Sequence, residues 1–178
     1  MSEGTKDFEL EVLASAAQER LEKGKEYIAK PMAMMGQLFS VVAREVIERF
    51  GDEGRETIIT AVNKYGEEEG SRIAARAASE GRENIFANLL VFSDLDNSYH
   101  KSKVHFLEGG VRLEVSYCPF AEAVQEWGLG EYGKYFCQNV DEATVRGYNP
   151  LEYEAVCEHN LTEGADTCVI VYKSKELD

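Results

Sequence analysis

Cysteine is absent from residues 1–117 of this 178-residue chain; Cys118, Cys137, Cys157 and Cys168 all fall in its last third. Long apolar runs are also missing, so no segment reads as a membrane span. The opening residues, Met1-Ser2-Glu3-Gly4-Thr5-Lys6-Asp7, lack the basic flank and apolar stretch of a signal peptide. A cytoplasmic protein with reduced thiols is the expectation. Positive charge is scarce: 19 Lys and Arg stand against 33 Asp and Glu, a formal net charge of −14. A field of that sign repels nucleic acid and anionic membranes, and no basic stripe with interleaved aromatics offsets it. A small molecule is the partner class left open. No CxxC pair is present, so the strongest zinc signature is missing. Repeats, low-complexity tracts and linkers are missing as well. The length suits a single domain, 1–178, able to bury a core.

What is present divides into a mainly helical stretch, 1–100, and a mixed stretch, 101–178. Apolar residues at spacings of three and four predict a helix from Phe8 to Lys30. Pro31 ends it or opens the next, which runs from Met32 to Phe50 and stops at Gly51. Its apolar positions cover a broad arc, more than one packed face needs, which suggests a homo-oligomer. Met32, Met34 and Met35 are expected to fill core. A third helix runs from a cap at Asp52 to Tyr65. Gly66 and Gly70 then lie four apart in a helical pattern. Each costs about 1 kcal/mol against alanine, so the pair signals either close approach of a backbone or ligand, or a break. The helical pattern resumes through Arg72 to about Glu80.

Alternation begins near Ser102. Val104 and Phe106, then Val111, Leu113, Val115 and Tyr117, flank the turn Glu108-Gly109-Gly110 and predict a hairpin. Short helices follow over Phe120–Trp127 and Glu131–Arg146. A second hairpin pairs Leu151–His159 with Ala165–Lys173. The fold class is α+β, helices on an antiparallel sheet of two hairpins.

The thiols define the candidate chemistry. Cys137 and Asp141 stand i,i+4 on a predicted helix and so share a face. Asp141 could accept a proton or orient water, but a negative neighbour disfavours a thiolate, so a nucleophilic cysteine would need a base such as His159. In the second hairpin, Cys157 is expected to face Cys168, with side-chain carbons about 5 Å apart. His159 shares the Cys157 strand face by the period of two. Both sulfurs could then hold a metal, with zinc taken by Cys137, Cys157 and Cys168 and completed by His159 or Glu154. Two cysteines packed in a sheet core fit the pattern equally well. Asn149, before Pro150, marks a turn and could present an amide to a substrate. Arg72 could pair with a substrate carboxylate.

These residues also carry a resemblance. Tyr135-Phe136-Cys137-Gln138-Asn139-Val140-Asp141-Glu142-Ala143, Gly147-Tyr148-Asn149-Pro150 and Asn160-Leu161-Thr162-Glu163-Gly164-Ala165-Asp166-Thr167-Cys168 resemble the L-2-amino-thiazoline-4-carboxylic acid hydrolase family. Tyr65-Gly66 with Gly70, and Cys118-Pro119, suit it too. The resemblance spans roughly Phe50 to Lys173. It implies hydrolysis of a carbon–nitrogen bond in a small cyclic amidine such as a thiazoline carboxylate. Cys137, Asp141 and His159 would then be catalytic, with Cys118, Asn149, Tyr65 and Arg72 at the substrate. Asn160 stands where the family pattern has Thr, and Cys157 is an additional thiol. The family is similar in turn to vinyl-reductase-like ligand-binding domains, some of which hold zinc through cysteines near the last hairpin. A non-catalytic sensor or carrier, with or without structural zinc, is the alternative.

Overall fold

The computed structural model describes residues 10–175. The chain forms two compact units, Met1–Pro31 and Met32–Asp178. In the first, helix α1 spans Leu10–Glu22 and a 3₁₀ turn follows at Gly24–Tyr27. Phe8, the expected start of this helix, lies outside the described residues.

The second unit holds the sheet and the helices around it. Helix α2 covers Pro31–Phe50, with proline at the first position, where its missing N–H costs nothing. Helix α3 runs unbroken from Asp52 to Ser79. Its N-cap is Gly51 at φ 61° rather than Asp52, which instead places its charge in the first turn. No break occurs at Gly66 or Gly70. Both are buried against helix α7, Val140–Tyr148. A side-chain carbon on Gly66 would lie 2.6 Å from Ala143 Cβ, and one on Gly70 would lie 2.7 Å from Tyr148 N. The glycines therefore serve helix–helix contact at backbone distance.

A short helix α4, Phe86–Phe92, follows in a region where no periodicity was long enough to predict one. Strands β1 (Lys101–Leu107) and β2 (Gly110–Tyr117) form the first hairpin, and β3 (Tyr153–His159) and β4 (Cys168–Ser174) the second. All pair antiparallel in one sheet of order β1-β2-β4-β3. The α+β architecture is as expected.

Between the hairpins the chain forms α5, Pro119–Glu126, and α6, Gly130–Cys137, before α7. The single helix expected over Glu131–Arg146 is thus two. Asn139 makes the joint: its side-chain amide donates to Tyr135 O at 2.7 Å, and its own carbonyl accepts the Ala143 N–H at 3.1 Å. A residue that satisfies the end of one helix and the start of the next breaks the pattern without glycine or proline.

Two apolar clusters form the core. Ile73, Leu89, Val145, Tyr148 and Ala155 form one, with Phe86, Tyr153 and Tyr172 packed on it. Phe120, Val124 and Leu129 form the other, joined by Met32, Phe39, Phe136, Cys118 and Cys137. Phe136 stacks on Phe120 with centroids 5.0 Å apart and meets Phe39 edge-on at 5.4 Å. Met34 and Met35, expected in the core, are exposed on the other side of α2.

Candidate thiol and carboxyl site

Cys118, Cys137, Asp141, Cys157 and Cys168 come together where β2, β3 and β4 face α5, α6 and α7. Cys118 follows the end of β2 and caps α5, just before Pro119. Cys137 ends α6, and Asp141 lies in the first turn of α7. The two therefore do not share the face of one helix; the turn at Asn139 lies between them. Electrostatic influence links Cys118 to Asp141, and Cys137 to Cys118, Asp141 and Cys157.

Burial sets the protonation of this cluster. It pushes the Cys137 thiol far above the ordinary cysteine value, and Cys118 and Asp141 add to the shift by repelling negative charge. A hydrogen-bond contact with Thr162 opposes it only in part. Burial thus favours the neutral thiol at Cys137, which does not suit the nucleophile role expected of it. Cys118 is raised by burial as well. Asp141 is raised by burial, partly offset by the Tyr172 hydroxyl, which donates to Asp141 Oδ1 at 2.8 Å. Tyr172 is itself raised well above the usual phenol range by burial and by this carboxylate. Burial thus favours the neutral forms of both carboxyl and phenol.

The final hairpin differs from the expected register. Cys157 pairs with Ile170, and His159 with Val169, with an irregularity between Cys157 and His159. Ile170 and Val169 point to opposite sheet faces. The extra residue at Glu158 therefore turns His159 to the outer face, away from Cys157. Glu158 also lies outside, where Arg112 Nη1 donates to its Oε2 at 2.6 Å. The expected partnership of His159 with the thiols does not form. Cys157 and Cys168 do stay on one face, as diagonal neighbours rather than a facing pair. Each thiol influences the other, which raises Cys168 and lowers Cys157, and the Cys157 thiol donates to the His159 carbonyl at 3.7 Å. Diagonal side-chain carbons on a sheet lie about 7–8 Å apart, against the roughly 4 Å a disulfide needs.

The turn Asn160–Gly164 closes over the cluster. Leu161–Glu163 forms a 3₁₀ turn that ends at Gly164 with φ 85°. Asn160 and Thr162 are each 1% exposed. The Thr162 hydroxyl donates to the Asn160 side-chain oxygen, and the Asn160 amide donates to Glu163 Oε2 at 2.6 Å. Gln125 of α5 donates to the carbonyls of Leu161 and Thr162 at 3.1 and 2.7 Å. Beside this turn a cleft of about 280 Å³ opens to solvent, lined by Tyr117, Cys118, Ala121, Gln125, Leu161 and Gly164 among others.

The family model for L-2-amino-thiazoline-4-carboxylic acid hydrolase matches residues 31–172. The chain belongs to that family. A search of curated proteins finds no match. Among solved structures, the chain is similar to a trafficking protein particle complex subunit 3 from Naegleria fowleri, covalently bound to palmitic acid. Identity is 13%, the TM-score is 0.51, and 82% of this chain and 95% of that one are covered. It is also similar to the phenol-responsive sensory domain of the transcription activator PoxR with phenol, at 14% identity and TM-score 0.49, covering 83% and 76%. These likenesses concern the fold.

In this hydrolase-family chain, three expected substrate residues stand apart from the thiols or are already engaged. Arg72 Nη2 pairs with Glu69 Oε2 at 3.0 Å on the surface of α3. Tyr65 shares that stripe; its hydroxyl is influenced by Glu69, Asp94 and Arg72, while its ring meets Phe136 at 6.1 Å. The Asn149 amide donates to Asn84 O at 3.0 Å and its side-chain oxygen accepts from Glu152 N at 3.3 Å, a turn role. Cys137, Cys157 and Cys168 do not assemble a zinc shell with His159 or Glu154. No group of three or more His, Cys, Asp or Glu among the described residues is placed to hold a metal ion. Tyr172, Thr162 and Gln125 were not singled out from sequence. Tyr172 could have been found, since it continues the alternation Cys168, Ile170, Tyr172 onto the thiol face.

Proposed function

We propose that this chain is a hydrolase that opens a C–N bond of a small cyclic amidine, of the thiazoline-carboxylate kind. Membership of the hydrolase family over residues 31–172 is the observation that supports it. Asp141, whose proton burial makes harder to lose, would give that proton to the departing ring nitrogen. The Tyr172 hydroxyl beside it would hold the carboxylate that remains. The Cys118 cleft would admit the substrate, and its volume suits a ligand of one small ring. We further propose that the protein works in the reducing cytoplasm. It would act as a homodimer through the exposed stripe Met34, Leu38 and Val42 on α2.

A sensor or carrier is the second reading, favoured by the neutral, buried thiols of Cys118 and Cys137, which suit packing more than reaction. The test is turnover. Purified protein is assayed against 2-aminothiazoline-4-carboxylate and the matching imidazoline carboxylate, with product release followed by mass spectrometry. Ring opening supports the hydrolase. Saturable binding with unchanged substrate supports the carrier and sinks the hydrolase.

A further inference from the structure

We propose that the cleft beside Cys118 chooses its ligand by positive charge: the Glu122 carboxylate and the Gln125 side-chain oxygen hold the amidinium group of the substrate, and a carboxylate arm is left to solvent. The ligand class rests on the hydrolase reading, which makes that ligand a substrate. Among the described residues, Glu122 is the one charged side chain that lines the cleft, and no Lys, Arg or His does. Lys101, on the neighbouring strand, places its Nζ 5.5 Å from the centre of the Tyr117 ring and is not part of the lining. Arg72, expected to meet a substrate carboxylate, is paired with Glu69 on α3. A carboxylate entering the cleft would meet a like charge, in a molecule of net charge −14.

Hydrogen bonds already made fix what the cleft still offers. Glu122 lies in the first turn of α5. The Tyr117 hydroxyl donates to its Oε2 at 2.7 Å, which leaves Oε1 to accept from a ligand. Gln125 Nε2 donates to Leu161 O at 3.1 Å and to Thr162 O at 2.7 Å. Both partners are carbonyls, so the nitrogen must face them and the amide cannot be turned round. Its two hydrogens are thereby used, and Gln125 Oε1 is the acceptor that remains. Both groups therefore ask for a donor.

An amidinium is the complement of such a site. It is flat, it is positive at neutral pH, and its nitrogens only donate. A carboxylate can take two of its N–H groups, as it takes those of a guanidinium. Small walls at Ala121, Gly164 and Ala165 leave room for the flat ring. A neutral ring with a carbonyl oxygen in place of the exocyclic nitrogen would turn an acceptor toward these acceptors and lose the charge. Glu122 is thus a binding residue: it touches the substrate and moves no proton.

The test reads binding apart from turnover. The full chain is titrated in a calorimeter, at low and at high salt, with 2-amino-2-thiazoline, 2-aminothiazoline-4-carboxylate and the neutral thiazolidin-2-one. The amidine without a carboxylate should bind as tightly as the 4-carboxylate or more tightly, and thiazolidin-2-one about tenfold or more weakly. Glu122→Gln, which keeps an acceptor for Tyr117, should weaken both amidines by about five- to tenfold and remove most of the salt dependence. Circular dichroism establishes that the variant is folded. In turnover the variant should raise KM and leave kcat near wild type. A preference of about tenfold for the 4-carboxylate overturns the proposal. So do tight binding of thiazolidin-2-one, wild-type affinity in Glu122→Gln, and binding of none of the probes. Ring opening alongside any of those results leaves the hydrolase reading standing. Salt-sensitive binding of the amidines through Glu122 without ring opening supports the cation site and overturns the hydrolase reading alone.

Discussion

At the scale of single residues, burial determines the chemistry of this site more than spacing does. Asp141 influences all four thiols and a phenol, and burial works against negative charge on every one of them. Raising Asp141 above the usual 3.8 has a consequence for stability. A group whose folded value is raised stabilises the fold fully below its unfolded value, and that contribution is lost as pH rises through the folded value. Asp141→Asn keeps the acceptor for Tyr172 and removes the titration. Denaturant unfolding at steps from pH 4 to 8 should therefore show a flatter fall in stability for this variant than for wild type. Ring opening should drop by about 10² to 10⁴. If the pH dependence of stability is unchanged, Asp141 does not titrate in this range. If turnover is unchanged, it is not the proton donor.

At the scale of elements, the contact of α3 with α7 holds Asp141 in place. Alanine at Gly70 would gain about 1 kcal/mol in helix propensity. It would also force a side-chain carbon to 2.7 Å from Tyr148 N, with rigid backbone on the other side. Overpacking of that kind costs typically 1–3 kcal/mol, and backbone cannot yield as a side chain can. A net loss of about 1–2 kcal/mol in stability is expected for Gly70→Ala, measured by urea unfolding. A variant as stable as wild type would show that the two helices can part without cost. The joint at Asn139 belongs to the same scale. It separates α6 from α7, so that Cys137 closes one helix while Asp141 opens the next.

At the scale of the whole molecule, helix α2 has two unlike faces. Gly36, Ser40 and Ala43 are buried, while Met34, Leu38 and Val42 recur at intervals of four and stay exposed, Leu38 at 68%. Such a stripe is what a partner helix would cover. Leu38→Glu should shift wild-type dimers to monomers in sedimentation at micromolar concentration, and a monomeric wild type would end the dimer proposal. The strong net negative charge works the other way, so self-association should strengthen with salt.

The sequence alone determined what local rules govern. Alternation about Gly109 set the first hairpin, Pro31 set the start of α2, and the paired glycines of α3 announced a close backbone. It also determined the α+β class, and the run of cysteines marked the region of the site. Tertiary structure decided the rest, because the deciding forces act between segments distant in sequence. One bulged residue at Glu158 reversed His159 and made Cys157 and Cys168 diagonal neighbours, a change no strand periodicity encodes. Asn139 split a helix that reads as continuous, since its side chain and backbone serve both ends. Protonation followed last: burial of Cys137 and Asp141 depends on which helices close over them, and desolvation is a property of that enclosure rather than of any residue in it.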